Sequence, residues 1–247
     1  MESSVSRQPM LEAIVLAGGE GRRLRPVIHD LPKPMADVAG RPFLSWLMSR
    51  LNRQGVGRVI LSVGYKAETI QDYFGVHFQD LEIAYSVEKE PLGTGGAIKL
   101  ALEQATQAQV IVMNGDTFTG LDLRDFVTRF ESSGTDLAVA VTHLIDVGRY
   151  GAVIIDEKSD KILGFEEKQR SSAGYINAGV YCVRPDLFMR YGMPLKFSFE
   201  RDFLAERLAE LRPVAFKETR GFIDIGVPED YSLAQTVVPA LAAREVR

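Results

Sequence analysis

Strand-type and helix-type segments alternate through the first half of the chain, and this alternation restricts the fold more than any other feature. "EAIVLA", "RVILSVG", "LEIAYSV", "QVIVMNGD" and "DLAVAVTHL" are short apolar runs. Between them lie "FLSWLMSRLNRQG", "AETIQDYFG", "GGAIKLALEQA" and "LRDFVTRFESSG", amphipathic segments of helical character. Strand, helix, strand repeated in this way predicts an α/β fold with a mostly parallel central sheet flanked by helices on both faces. In such sheets the ligand site forms in the loops at the strand C-terminal ends.

From Tyr150 the pattern changes. "YGAVIIDEKSDKILGFEEK" reads as two alternating strands around a Glu-Lys-Ser-Asp turn, a β-hairpin. "YINAGVYCV" adds a strand, "FSFERDFLAERLAEL" a helix, "GFIDIG" a short strand and "PEDYSLAQTVV" a closing helix. The expectation is an antiparallel second part fused to the first. At 247 residues and 46% hydrophobic content the chain can bury a full core. Residues 1–10 read as a flexible tail and 11–247 as a single domain, without internal repeat or low-complexity linker.

"VLAGGEGRRLRPVIHDLPKP", Val15 to Pro34, holds three glycines, three arginines and a lysine directly after the first apolar run. The net charge is −4, so this positive charge is local. A small anionic ligand fits it; a nucleic-acid partner does not. Cys182 is the only cysteine, which excludes an internal disulfide and a cysteine-cluster zinc site and suits a reducing compartment, the cytoplasm by default. Inside "VYCV" it reads as a buried packing residue. The three histidines lack ligand spacing. No apolar run approaches the roughly 18 residues of a membrane span, and no membrane partner is expected.

The loop is neither of two familiar phosphate binders. A Walker loop needs a Gly-Lys pair, which the chain lacks, and Leu24 stands where a dinucleotide fingerprint has its third glycine. Taken alone it could be a glycine turn with solvated arginines. Gly18, Gly19 and Gly21, however, would let a triphosphate approach backbone N–H groups, while Arg23 and Lys33 would supply full positive charge. Pro32 and Pro34 are expected to hold Lys33 in an extended, pre-ordered segment. Asp116 ends the apolar strand "VIVMNGD", where it is either a ligand-side carboxylate or a helix or turn cap. Asp224, flanked by Phe222, Ile223 and Ile225, needs a partner for its charge. A divalent cation, Mg²⁺, would serve both carboxylates at once.

"LAGGEGRRLRP" with "LPKP" resembles the signature of sugar-1-phosphate nucleotidyltransferases. Further stations follow in order: "EKEPLGTGGA", "NGD", "YG", "FEEK", "NAGVY" and "FIDIGVPEDY". Through "HDLPKPM", "EKEPLGTGGAIK" and "KFSFERDFL" the chain is most similar to the branch acting on D-glycero-α-D-manno-heptose 1-phosphate with GTP. The resemblance implies a Rossmann-like nucleotide-diphospho-sugar transferase fold with an antiparallel sugar-binding part. It also implies transfer of a nucleotidyl group to a sugar 1-phosphate with release of pyrophosphate, for bacterial surface polysaccharide. Arg23, Lys33 and Asp116 would be catalytic, and Asp116 and Asp224 would hold Mg²⁺. Leu16, Ala17, Gly18, Gly19, Gly21, Arg22, Glu88, Pro91, Gly93 and Thr94 would contact the nucleotide. Asn114, Gly151, Glu167, Lys168 and Asn177 would contact the sugar phosphate. Arg22 departs from the family pattern, which has Thr there.

The attacking phosphate is already anionic, so no general base or covalent nucleophile is required. Guanine offers N1–H and N2–H₂ as adjacent donors, which one carboxylate can accept, and Glu88 stands just before the glycine-rich turn where a flat base could lie against Gly93. The other reading of Glu88 is a surface residue in the charged cluster Glu88, Lys89, Glu90. Alternatives to the main reading are a mannose-1-phosphate guanylyltransferase, a uridylyl- or cytidylyltransferase, and a silent nucleotide-sugar-binding regulator. A homo-oligomer is compatible with the sequence.

Overall fold

The structure is a computed structural model that describes residues 10–24, 27–28, 30–166 and 173–244. The expected tail falls outside these residues except for Met10. Among the described residues no helix is long and apolar enough to cross a membrane.

The first half runs β1 (Leu11–Leu16), β2 (Asp37–Val38), β3 (Arg41–Pro42), α1 (Phe43–Arg53), β4 (Val56–Val63), α2 (Ala67–Phe74), β5 (His77–Phe78) and β6 (Leu81–Val87). It continues through α3 (Gly93–Leu102), β7 (Val110–Asn114), β8 (Thr117–Gly120), α4 (Leu123–Ser133) and β9 (Leu137–Leu144). The second half holds β10 (Ala152–Ile155), β11 (Ile162–Glu166), β12 (Gly174–Val183), α5 (Leu187–Arg190), a π-helical turn at Phe199–Ala205, and α6 (Leu208–Leu211). It closes with β13 (Val214–Phe216), β14 (Arg220–Asp224) and α7 (Pro228–Arg244).

The central sheet has the order β11-β10-β12-β7-β1-β4-β6-β5, with β9 and β13 branching from β12. β7, β1, β4 and β6 are parallel. β12 then runs antiparallel to β7 and β9, and β10 and β11 form the expected antiparallel hairpin. The fold class is therefore as the sequence predicts.

Alternation along the parallel strands sorts two cores. Ala13 and Val15 face a cluster with Leu44, Leu47, Ile70 and Phe126 from α1, α2 and α4. Ile14 and Ile60 face Ile98 and Ala101 of α3 on the other side. Local signals set the helix ends: Asp122 caps α4 by accepting from the N–H groups of Arg124 and Asp125 at 2.9 Å, and Gly134 ends it at φ +66°.

Two expectations are corrected. The segment read as one helix from Phe197 to Leu211 is a π-helical turn followed by the single turn α6. The apolar strand before Asp116 ends at Asn114, leaving Asp116 in the turn into β8. "GFIDIG" forms the expected short strand, β14, which pairs antiparallel with β8 in a sheet apart from the central one. That pairing positions the site.

Candidate active site

β1 delivers the glycine loop to the C-terminal edge of the parallel strands. The loop is pinned from beneath, because Gly115 N–H donates to the Leu16 carbonyl at 2.9 Å and Ala17 N–H to the Ser62 carbonyl at 2.7 Å. Ala17 is fully buried and its N–H is spent on that bond, so it supports the loop instead of facing a ligand. The N–H groups of Gly18 and Gly19 donate to no acceptor among the described residues. They remain available to an anion. Gly21 sits at φ +63°, and a Cβ there would lie 2.7 Å from the Lys33 Cβ. Its bareness lets the loop close on Lys33.

Lys33 is buried, and it opens a short 3₁₀ turn, Lys33–Met35, instead of lying in an extended segment. Pro32 alone keeps the extended conformation, at φ −60° and ψ 142°. The turn follows from Pro34, whose fixed φ suits a first helical position and whose missing N–H costs nothing there. The Lys33 ammonium donates to Asp116 Oδ2 at 2.6 Å and to Asp224 Oδ1 at 3.4 Å. The carboxylates meet because Asp224 ends β14 opposite Thr117 of β8, and Ile225 N–H donates to the Asp116 carbonyl at 3.0 Å.

Burial, and next the negative charge of Asp116, raise the Asp224 carboxyl above the usual aspartate range; Lys33 partly offsets both. A Cβ on Gly226 would lie 3.0 and 3.1 Å from the Asp224 carboxylate oxygens and 3.3 Å from Lys33 Nζ. Two converging carboxylates over a backbone cradle that only glycine leaves open form a donor set suited to a hard divalent cation.

Beside this pair opens a cavity of about 330 Å³. Leu16, Gly18, Gly19, Lys33, Glu88, Pro91, Gly93, Thr94, Asn114 and Asp116, all singled out in the sequence, line it. Pro34, Ser62 and Ala97 line it as well and were not foreseen. Glu88 is half-buried, and its Oε2 accepts from Leu92 N–H at 2.9 Å. Its other oxygen would lie 2.8 Å from a Cβ on Gly18. Burial raises its carboxyl, and the Leu92 N–H only partly offsets this. Gly93 does not owe its bareness to a base: at φ +74° its Cβ would lie 2.6 Å from the Phe197 carbonyl oxygen. A Cβ on Gly95 or Gly96 would likewise strike the segment from Leu195 to Phe197, which straps across the start of α3.

The far side of the site is a chain of polar contacts that the sequence only partly announced. Asn177 donates to the Tyr181 hydroxyl at 2.8 Å and accepts from Gly179 N–H at 2.9 Å. Tyr181 donates to Glu200 Oε1 at 3.3 Å, and Thr94 donates to Glu200 Oε2 at 2.7 Å. Burial, followed by the Glu200 charge, pushes the Tyr181 phenol well up. Glu200 was missed because its inward aim depends on the π-helical turn. Asn177 thus stands outside the cavity lining, while Asn114 is within it, packed over Gly179.

Gly151 occupies a turn at φ +81°, its N–H donating to the Val147 carbonyl. Arg23 is exposed on the turn Arg22–Leu24 and does not line the cavity. Glu167, Lys168 and the Arg22 side chain lie outside the described residues. A larger cavity, about 1170 Å³, opens beside Arg53, Arg124 and Arg220 and contains none of the predicted site residues. Size alone does not mark the chemistry, and the smaller cavity holds the convergent charges.

A glycine loop at the C-terminal edge of a parallel sheet, facing a lysine shared by two aspartates, defines a nucleotide-handling α/β protein. The Nucleotidyl transferase family pattern matches residues 12–239, and the chain belongs to that family. It is 44% identical over 225 residues to D-glycero-alpha-D-manno-heptose 1-phosphate guanylyltransferase of Aneurinibacillus thermoaerophilus, covering 91% of this chain and 97% of the relative. Identity to the protein of the same name from Campylobacter jejuni is 43% over 221 residues, covering 90% and 97%. Among solved structures, HddC from Yersinia pseudotuberculosis complexed with GMP-PN superposes with a TM-score of 0.79 at 41% identity, covering 92% of this chain and 98% of that one.

Proposed function

We propose that the chain transfers a guanylyl group from GTP to D-glycero-α-D-manno-heptose 1-phosphate, forming the GDP-sugar and releasing pyrophosphate. The observation that carries this reading is the Lys33 ammonium held between Asp116 and Asp224 beside a cavity that Lys33 and Asp116 line together with Gly18, Gly19 and Glu88. The relatives named above, which span nearly the same length, support the same substrates. Residues 11–247 act as one catalytic unit in this reading.

The attacking oxygen is a phosphate oxygen of the sugar 1-phosphate. It forms a bond to the α-phosphorus of GTP while the bond from that phosphorus to the bridging oxygen breaks, and pyrophosphate leaves with the electron pair. No proton has to be removed from the nucleophile. The N–H groups of Gly18 and Gly19 hold the triphosphate, and Lys33 and Arg23 stabilise the charge that grows on it. Glu88 reads guanine N1–H and N2–H₂, and Thr94, Pro91 and Gly93 form the wall beside it. Asn114, Asn177, Gly151, Glu167 and Lys168 belong to the sugar phosphate. Asp116 and Asp224 would hold Mg²⁺, which when bound neutralises phosphate charge and polarises the reacting phosphoryl group.

Pyrophosphate release over a grid of nucleoside triphosphates and sugar 1-phosphates with Mg²⁺ tests the reading. GTP with the heptose 1-phosphate should turn over fastest, and Asp116→Asn and Asp224→Asn should each lower kcat by about 10²-fold or more. A faster reaction with mannose 1-phosphate, or with UTP or CTP, would move the chain to another branch. Binding of a nucleotide sugar without turnover of any pair would make it a regulator.

A further inference from the structure

Two hydroxyls that lead to different parts of the site end on one carboxylate, that of Glu200. It does not itself line the cavity. Thr94, near the start of α3, donates to its Oε2 at 2.7 Å, and Tyr181, on β12, donates to its Oε1 at 3.3 Å. A carboxylate only accepts, so each hydroxyl spends its single hydrogen there and keeps lone pairs for a donor behind it. Both are used: Thr94 Oγ accepts from Phe199 N–H at 2.9 Å, and the Tyr181 oxygen accepts from Asn177 Nδ2 at 2.8 Å. Glu200 thereby sets the direction of every bond in the chain.

The first arm reaches the nucleotide wall. Thr94 lines the cavity together with Pro91 and Gly93. With its hydrogen committed to Glu200, its hydroxyl has none to donate to a nucleotide, and the bond instead fixes where the start of α3 stands. The second arm reaches the sugar-phosphate side. Tyr181 is 1% exposed, too deep to meet a ligand, but it fixes the Asn177 amide. Asn177 Oδ1 accepts from Gly179 N–H at 2.9 Å, within the bulge of β12 between Asn177 and Val180. A Cβ on Gly179 would lie 2.6 Å from Asn114 Nδ2, so this bulge packs directly on Asn114, a cavity-lining residue two positions before Asp116.

We propose that Glu200 is a positioning residue that holds the start of α3 and the Asn177 bulge in one register, acting through Thr94 on the nucleotide and through Tyr181 on the sugar phosphate without touching either. This rests on the reading of the cavity as the site of both substrates.

The test measures calorimetric binding of guanosine 5′-(α,β-methylene)triphosphate, whose α–β bridge resists cleavage, and of the heptose 1-phosphate to protein saturated with that analogue, alongside pyrophosphate release from GTP. Thr94→Val should weaken the analogue about tenfold and leave the sugar phosphate within about twofold, and Tyr181→Phe should do the reverse. Glu200→Ala should weaken both about tenfold. Adding Thr94→Val to Glu200→Ala should cost no further nucleotide affinity, and adding Tyr181→Phe no further sugar-phosphate affinity. Should Glu200→Ala not fold, Glu200→Gln takes its place: it leaves one oxygen for two hydroxyls, and at least one ligand should weaken. Equal loss toward both ligands in Thr94→Val and in Tyr181→Phe, as a general loosening would give, would overturn the proposal. So would effects that add in the double variants, or Glu200 variants that bind both ligands as the parent does. A parent that binds both ligands without releasing pyrophosphate would sink the transferase reading alone, and one that leaves either ligand unbound would sink both.

Discussion

Lys33 occupies the place between two carboxylates that a divalent cation would take, and the two cations therefore compete for one site. In nucleotide-free protein, Lys33→Ala should bind Mn²⁺ at least about tenfold more tightly than the parent, read by the loss of free-ion signal in electron paramagnetic resonance. The same variant should lose about 10²–10³-fold in kcat if, as proposed, the ammonium also stabilises the charge growing on the triphosphate. Equal Mn²⁺ affinity in both proteins would mean that the ammonium does not shield the site. Glu88 gives a second residue-scale prediction. Burial raises its carboxyl, so the folded protein keeps a proton that the unfolded chain releases, and stability falls as pH rises from the ordinary glutamate range to the raised value. Glu88→Gln escapes that cost, and its melting temperature relative to the parent should be higher at pH 7 than at pH 4.

Among the elements, the π-helical turn at Phe199–Ala205 separates what a sequence pattern can say from what packing decides. Phe199, Phe203 and Leu204 fit an amphipathic α-helix, yet the turn widens because both ends are held. Phe199 N–H donates to Thr94 Oγ at 2.9 Å at one end. Phe203 is gripped edge-on by Phe188, with centroids 5.0 Å apart, and by Tyr191 at 5.4 Å. Phe203→Ala should cost about 3–5 kcal/mol in urea unfolding, the usual range for emptying an aromatic core site. A loss below about 1 kcal/mol would show that the aromatic cluster does not hold the turn. Strands were easier to read: β1, β4, β6, β7 and β9 each lie where an apolar run was bounded by turn residues.

At the scale of the whole molecule the site joins parts remote in sequence: the loop after β1, the turn after β7 and the end of β14. Lys33 offsets part of the negative charge of Asp116 and Asp224 from within the chain itself. EDTA should consequently stop pyrophosphate release while shifting the melting temperature by less than about 2 °C. A large drop would mean that the carboxylate pair needs a metal to fold.

The amino-acid sequence determined the sheet class, the glycine loop and the identity of its charged residues, because strand and helix periods and glycine's freedom act over a few residues. Asp116 and Asp224 were expected to share a cation, but only the tertiary structure decided that the pairing of β14 with β8 brings them together and that Lys33 lies between them. It also decided that Gly93 is bare for the Phe197 carbonyl and that Glu200 turns inward. These outcomes depend on contacts between segments 83 to 191 residues apart, whose closure is governed by the packing of the whole chain and leaves no periodic trace in any one segment.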